Sequence, residues 1–429
     1  MLWLILVGLA KSQDFFVISD LHYDIAYNAN YEEKYLCHNV STTFNQNLHP
    51  IPTPFAKPMG RFGCDAPLKL LKSSLEFLQG LNPDPEFILL LGDSIGHFTS
   101  QLLNPSRIYY RNYNKALINL TFQKVAQAIK DYFPNTKVVP IIGNNDGYSD
   151  YEIPEGQEGI EYLDFLYEQW KPLAGEISGS FSDGGYYYTY TRSGLKVVCL
   201  NSNYFSIKVQ GFEATAEEQL DWLDEELKNS EEQVILIMHI PPGVGMWNLG
   251  DQLWHPSYTT RFISIMQTHQ NKVSMILCGH VHHGNFQSIP ETEIPILLHP
   301  SISPIFGNNP GVRYYHLSEN YQVFTDYTLN LYTQEVGSWQ EEYNFYDLYK
   351  LSKLNTETVY NQIKNNYDLL LKFLMHSHGL GVVEGISEEQ IWKISTGVNY
   401  EHEKAFAKKS VLCLMKFLPY EEFKNCRDS

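Results

Sequence analysis

Met275-Ile-Leu-Cys-Gly-His-Val-His282 is an apolar run that stops on a glycine and then delivers two histidines one residue apart. In an extended chain, side chains alternate between faces, so His280 and His282 leave on the same side. The same grammar recurs upstream. Phe15-Phe-Val-Ile-Ser-Asp-Leu-His22 ends on Asp20 and His22, Ile88-Leu-Leu-Leu-Gly-Asp93 on Asp93, and Val138-Val-Pro-Ile-Ile-Gly-Asn144 on Asn144. Val234-Ile-Leu-Ile-Met-His239 ends on His239. Continuous apolar strands are those of a parallel sheet covered on both faces, and ligands in open α/β sheets gather outside the carboxyl ends of strands. The repetition therefore predicts parallel strands that bring Asp20, His22, Asp93, Asn144, His239, His280 and His282 to one sheet edge.

Between these runs the sequence alternates with amphipathic segments. Helices are expected near 67–80, 113–132, 158–170, 215–229 and 258–270, with the first stopping at Gly80. Two further strands, in Tyr186–Thr191 and Leu195–Asn201, are joined by a turn at Arg192-Ser-Gly194. Short strands dominate 284–328 and suggest a meander on one sheet. Beyond residue 334 strand signals give way to helical spacing at 355–376 and 401–417. The fold class is thus α/β, a sandwich of sheets flanked by helices, divided as 13–333 for the catalytic core and 334–429 for a helical subdomain.

The chain has 429 residues, 43% of them hydrophobic, enough to bury a large core. Its formal charge of −18 argues against a nucleic-acid polymer as partner. Residues 1–12 (MLWLILVGLAKS) read as a secretory signal peptide, and no later stretch reaches the roughly 18 apolar residues of a membrane span. Glycosylation tripeptides at Asn39-Val-Ser41 and Asn119-Leu-Thr121 agree with export to a secreted or endolysosomal lumen location. Cys37 with Cys64, and Cys413 with Cys426, are expected disulfides, while Cys199 and Cys278 lie in apolar strands and are expected as buried thiols.

Mixed carboxylate, imidazole and amide donors suit Zn, Mn or Fe. Two such ions bridged by Asp93, whose carboxylate has two oxygens to share, would activate water and stabilise an in-line phosphoryl displacement. Gly92, Gly143 and Gly279 are expected to let the backbone turn beside the ions.

This ensemble resembles the signature of the calcineurin-like metallophosphoesterases, and within them the acid sphingomyelinase and acid sphingomyelinase-like phosphodiesterase group. Cys64-Asp65-Ala66-Pro67, His97, Leu200-Asn201-Ser202-Asn203 and His239-Ile-Pro-Pro-Gly243 add to the likeness, which covers nearly the whole chain after the leader. The resemblance implies a four-layer α/β sandwich with a C-terminal helical subdomain and two divalent ions, zinc first. It implies one ion on Asp20, His22, Asp93 and His282, and another on Asp93, Asn144, His239 and His280. It also implies a monomeric phosphodiesterase using a metal-bound hydroxide on small nucleotide-like or phosphocholine-containing compounds. No saposin domain like that of acid sphingomyelinase is expected, because Asp20 follows the expected leader directly. That favours phosphoesters or phosphoanhydrides of nucleotides over sphingomyelin.

One position departs from the pattern. The group carries histidine after the metal-binding asparagine, where this chain has Asn145. Asparagine donates a hydrogen bond but delivers no proton, and a general acid is worth about 10²–10⁴-fold. His97 is then the expected acid. A metal-retaining secreted binder with impaired turnover is the alternative that Asn145 suggests. His283 is expected as a structural or rim residue, His299 as a buried residue or a partner behind the ligands, and His376 and His378 as surface residues. Tyr23, Tyr148, Trp247 and Trp254 lie near the motif loops, where core packing is the plainer account.

Overall fold

The structure, a computed structural model, describes residues 14–38, 57–97, 108–246, 249–318, 321–332, 337–351, 353–397 and 400–429. The expected leader, the Asn39 tripeptide and Trp247 lie outside the described residues. In chain order the strands are β1 (Phe15–Ile18), β2 (Ile88–Leu90), β3 (Val138–Pro140), β4 (Tyr187–Tyr190), β5 (Lys196–Leu200), β6 (Val234–Met238) and β7 (Val244–Gly245). Then come β8 (Asp251–Gln252), β9 (Val273–Cys278), β10 (Asn285–Ser288), β11 (Pro295–Leu298), β12 (Gly311–Ser318), β13 (Tyr321–Leu329) and β14 (Trp339–Asn344).

Two six-stranded sheets result, ordered β14-β13-β12-β1-β2-β3 and β10-β11-β9-β6-β5-β4. In the first, β1, β2 and β3 are parallel. In the second, β11, β9, β6 and β5 are parallel, and antiparallel β10 and β4 flank them. Period-two alternation assigns the faces. Phe15, Val17, Leu89 and Val139 of the first sheet share a core with Val197, Cys199, Ile235, Ile237 and Leu277 of the second. The opposite face of the first sheet, with Phe16, Ile18, Ile88 and Leu90, packs on Leu70, Leu75 and Leu78 of helix Leu68–Leu81 and on Val125 and Ile129 of helix Ile108–Tyr132. The outer face of the second, with Val198, Leu236, Met238 and Ile276, packs on Leu220 and Leu223 of helix Glu213–Asn229 and on Phe262 and Met266 of helix Pro256–Thr268. Helix, sheet, sheet, helix is the expected four-layer sandwich. Each fully buried Leu, Ile or Phe contributes roughly 1.5–3 kcal/mol of transfer free energy to it.

Four expectations change. The ligand-bearing strands belong to both sheets rather than one, because β1, β2 and β3 lie in the first and β6 and β9 in the second. The stretch 284–328 is likewise no single meander: β10 and β11 close the second sheet while β12 and β13 return to the first. Strand structure also persists past residue 334, since β14 pairs with β13. Helix Leu68–Leu81 does not stop at Gly80, which lies in open surroundings within it; Asn82 ends the helix in an extended conformation. The helices Thr356–Asn365, Tyr367–Ser377, Glu388–Thr396, Tyr400–Lys416 and Tyr420–Asp428 extend the central core through Val359, Leu370, Phe373, Trp392 and Val411. The Cys37–Cys64 and Cys413–Cys426 disulfides are present, and Cys199 and Cys278 are buried and free.

Candidate metal centre

The carboxyl ends of β1, β2, β3, β6 and β9 meet where the two sheets face each other, and backbone bonds carry their pairing into the loops. Asp20 N–H donates to Gly92 O (3.2 Å), His22 N–H to Asp93 O (2.9 Å) and Gly279 N–H to His239 O (3.0 Å). One link crosses from sheet to sheet, with His280 N–H donating to Asp20 Oδ1 at 3.0 Å. Asp20, His22, Asp93, His280 and His282 take left-handed φ values of 49°, 40°, 52°, 72° and 63°. Non-glycine residues there cost on the order of 1–3 kcal/mol each and persist where the surroundings force them, commonly at functional sites. Of the three motif glycines only Gly92 turns with positive φ (85°). Gly143 and Gly279 serve close approach instead, since a Cβ would collide with Asp93 at one and with Ser19 and Asp20 at the other.

The side chains converge on Asp93. Its Oδ2 lies 3.3 Å from His22 Nε2 and 3.2 Å from His239 Nε2. His22 Nε2 is 3.0 Å from His282 Nε2. Asn144 Oδ1 is 3.0 Å from His239 Nε2 and 2.8 Å from His280 Nδ1. Two sets of donors, Asp20 with His22 and Asp93, and Asp93 with His239 and His280, each fall within 4.8 Å. Ligands bound at about 2.1 Å around one tetrahedral ion lie about 3.4 Å apart, so this spacing fits such ions. The orientation fits as well. His22 Nδ1 donates to Ile95 O (2.9 Å) and His239 Nδ1 to Leu91 O (2.7 Å), which turns both Nε2 lone pairs inward. Asn144 Nδ2 donates to Asp150 Oδ1 (2.8 Å), which leaves its carbonyl facing the histidines.

The carboxylates and imidazoles of the cluster shift one another strongly. Burial pushes the Asp93 carboxyl up, but the charges of His239 and His22 outweigh it and hold the group well below the carboxylate range. Burial pulls His239 down, yet Asp93 lifts it to about 9. Burial, with Asp93 adding to it, raises Asp20 to about 7. Burial brings His22 to about 4, with His97 assisting, and His280 to about 3, with His239 assisting. The depressed Asp93 and the raised His239 together mark a centre that favours positive charge.

His97 stacks on His22 with ring centroids 3.8 Å apart and joins a third donor set with His22 and His282. Its Nδ1 donates to Asp65 Oδ1 (3.0 Å), and Asp65 Oδ2 accepts the His97 backbone N–H (2.7 Å). Burial alone would lower His97, but the Asp65 charge and hydrogen bond raise it from the ordinary imidazole value. Asn145 is buried and holds the bridging carboxylate from two sides. Its backbone N–H reaches Asp93 Oδ1 (2.8 Å) and its Nδ2 reaches Asp93 Oδ2 (3.0 Å).

Other residues fall outside the cluster. His299 is buried between Cys278 O and the Tyr315 hydroxyl. His283 stacks on His378 at 4.8 Å; both are buried, so His378 is no surface residue as expected, and His376, half-buried, accompanies Glu342 (2.9 Å). Tyr23, Tyr148 and Trp254 pack in the core. Four residues that sequence reasoning passed over matter here. Asp146 accepts four backbone N–H groups, from Asp93, Gly143, Ser94 and Ile95, and ties two ligand loops together. Tyr151 and Lys208 line the cleft beside His280, and Phe306, 41% exposed, lies against His282 and His97. The acidic residue closing Gly143-Asn-Asn-Asp146 was a visible signal for the first, whereas Lys208 and Phe306 sit in segments with no motif.

The calcineurin-like phosphoesterase family model matches residues 14–284. A Dictyostelium discoideum protein named sphingomyelinase phosphodiesterase D is 27% identical over 402 residues, covering 84% of this chain and 88% of that protein. Mouse acid sphingomyelinase-like phosphodiesterase 3b is 28% identical over 395 residues, covering 84% and 82%. Mouse cyclic GMP-AMP phosphodiesterase SMPDL3A is 24% identical over 370 residues, covering 81% and 79%.

Proposed function

We infer from the family to which this chain belongs, the calcineurin-like phosphoesterases, that its cleft hydrolyses small phosphodiesters or phosphoanhydrides, nucleotides and related compounds first. The carrying observation is the pair of donor sets that share Asp93 between the carboxyl ends of two sheets. One ion would sit on Asp20, His22, Asp93 and His282, and the other on Asp93, Asn144, His239 and His280. The imidazole-rich donor set favours zinc for both. Such ions would supply Lewis acidity and lower the pKa of a water molecule. The chain's own residues do the rest. Asn145 and Asp146 hold the Asp93 loop in register. Asp65 fixes the His97 tautomer with its proton on Nδ1, and once His97 is protonated its Nε2 can pass a proton to the departing oxygen.

Leaving groups set the substrate range. With Asn145 unable to carry a proton, His97 alone would protonate an alkoxide, whereas p-nitrophenolate and phosphate leave with little help. Export to the cell exterior or an endolysosomal lumen is supported by the two disulfides and by the apolar leader at 1–12. Among the described residues no helix is long and apolar enough to cross a membrane. Residues 13–333 are read as the catalytic unit and 334–429 as a helical subdomain, in a monomer.

The test assays purified protein on bis-p-nitrophenyl phosphate, a nucleoside triphosphate and sphingomyelin, with and without chelator. Chelator-sensitive hydrolysis of the first two is the expected result. Turnover of sphingomyelin above both would move the substrate class to choline phospholipids. Hydrolysis of none, with ions bound, would leave the binder reading standing.

A further inference from the structure

The cleft over the donor clusters has a volume of about 570 Å³. Asp93, Asp150 and Asp251 line it, and Lys208 is the one lysine or arginine among its described lining residues. Lys208 follows the buried turn Ser202–Ser206, and its backbone N–H donates to Ser206 Oγ (3.2 Å). Its ammonium lies 4.3 Å from the centroid of the Tyr151 ring, and its charge is felt by both Asp150 and His280. The Tyr151 hydroxyl is 3.3 Å from His280 Nε2. Tyr151 itself is bound to the asparagine loop by a 2.9 Å bond from its N–H to Asn144 O, and it takes a left-handed φ of 57°. A bulky residue there is an outlier, which the loop imposes. The ring is therefore fixed in place, and the cation rests on a fixed ring one hydroxyl away from a metal-binding histidine.

We propose that Tyr151 and Lys208 form an anion subsite that takes a second phosphate of the substrate while the scissile phosphate sits at Asp93. The proposal rests on the phosphodiesterase reading above and deepens it to substrates with a diphosphate or longer phosphate chain. A cation held against an aromatic face suits an anion and repels a quaternary ammonium, which would otherwise choose that same face. In a molecule of formal charge −18, one cation beside the ions is also the feature that turns a general phosphate site toward polyanions. Lys208, Tyr151, His280 and Asp93 border the same cleft, so a phosphate chain anchored at Asp93 has the Lys208 ammonium beside its path.

Two measurements test this. In the first, the zinc-loaded wild type, Lys208→Ala and Lys208→Arg proteins are assayed on a nucleoside triphosphate and on bis-p-nitrophenyl phosphate. The ratio of the two kcat/KM values should fall roughly 10- to 100-fold in Lys208→Ala and return in Lys208→Arg. A ratio that stays at the wild-type value in Lys208→Ala overturns the proposal. In the second, pyrophosphate and orthophosphate are titrated into the same zinc-loaded proteins by calorimetry. Pyrophosphate should bind the wild type more tightly, and Lys208→Ala should erase the difference. Equal affinities in the wild type overturn the subsite even in a protein that hydrolyses bis-p-nitrophenyl phosphate, whereas failure to hydrolyse anything, with pyrophosphate still preferred, sinks the hydrolase reading alone.

Discussion

On the His22–His282 side of Asp93 the protein surrounds the cluster with another imidazole, His97, backed by Asp65 and covered by the exposed ring of Phe306. On the His239–His280 side no further imidazole lines the cleft among the described residues. Asn145 donates to Asp93, Asp150 holds Asn144, and Tyr151 with Lys208 borders the cleft. On the function proposed above, one half would move a proton and the other would hold charge. A site of this kind separates the two tasks in space, with a shared carboxylate as the hinge between them.

The most severe way to break the comparison is to remove what both halves share. Asp93→Asn should strip both ions and lower kcat by on the order of 10³-fold or more, read by metal analysis and steady-state rates. Retention of two ions per chain would mean that Asp93 is no bridge. Next in size, His97→Ala should cost about 10²–10⁴-fold on alkyl phosphodiesters and far less on p-nitrophenyl esters. Equal losses on both would deny it the role of acid. Asp65→Asn sharpens the point through pH. The Asp65 charge raises His97, and an acid works while it is protonated, so activity on alkyl esters should fall as pH rises through the His97 value. Without that charge the alkaline limb should move to lower pH, and an unmoved limb counts against the pair.

Smaller still is the effect expected at Asn145. Asn145→Ala removes the 3.0 Å bond to Asp93 Oδ2 and should weaken metal binding about 10- to 100-fold, measured by competition with a chromogenic chelator. Finally, ion uptake at pH 6.5 should release protons. His239, held near 9, and Asp20, near 7, both carry them at that pH. Titration in buffers of differing ionisation enthalpy counts the protons, and none released would contradict the shifts described above.

The strands, and the meeting of these seven side chains in one place, could be read from sequence because each motif ends an apolar run of the right length. Which sheet each run joins could not. The β1 to β2 and β6 to β9 neighbours look alike in sequence, and pairing is decided by which face meets which across the shared core. The left-handed φ values of Asp20 or His282 leave no trace in residue type, since aspartate and histidine are ordinary at a strand end. Asn145 was legible as a missing acid but not as a support for Asp93, because its partner lies 52 residues away. His378 was misread for a similar reason. Only the fold buries that tail histidine against His283.

The five left-handed donors also have a meaning for how this protein tolerates change. At such positions glycine relieves the backbone, so His282→Gly or His22→Gly removes a ligand and a strain in one stroke. The cavity left by the buried imidazole opposes that relief, so the clean readout is the response to ions: added metal should raise the melting temperature of the wild type and leave that of either variant nearly unmoved.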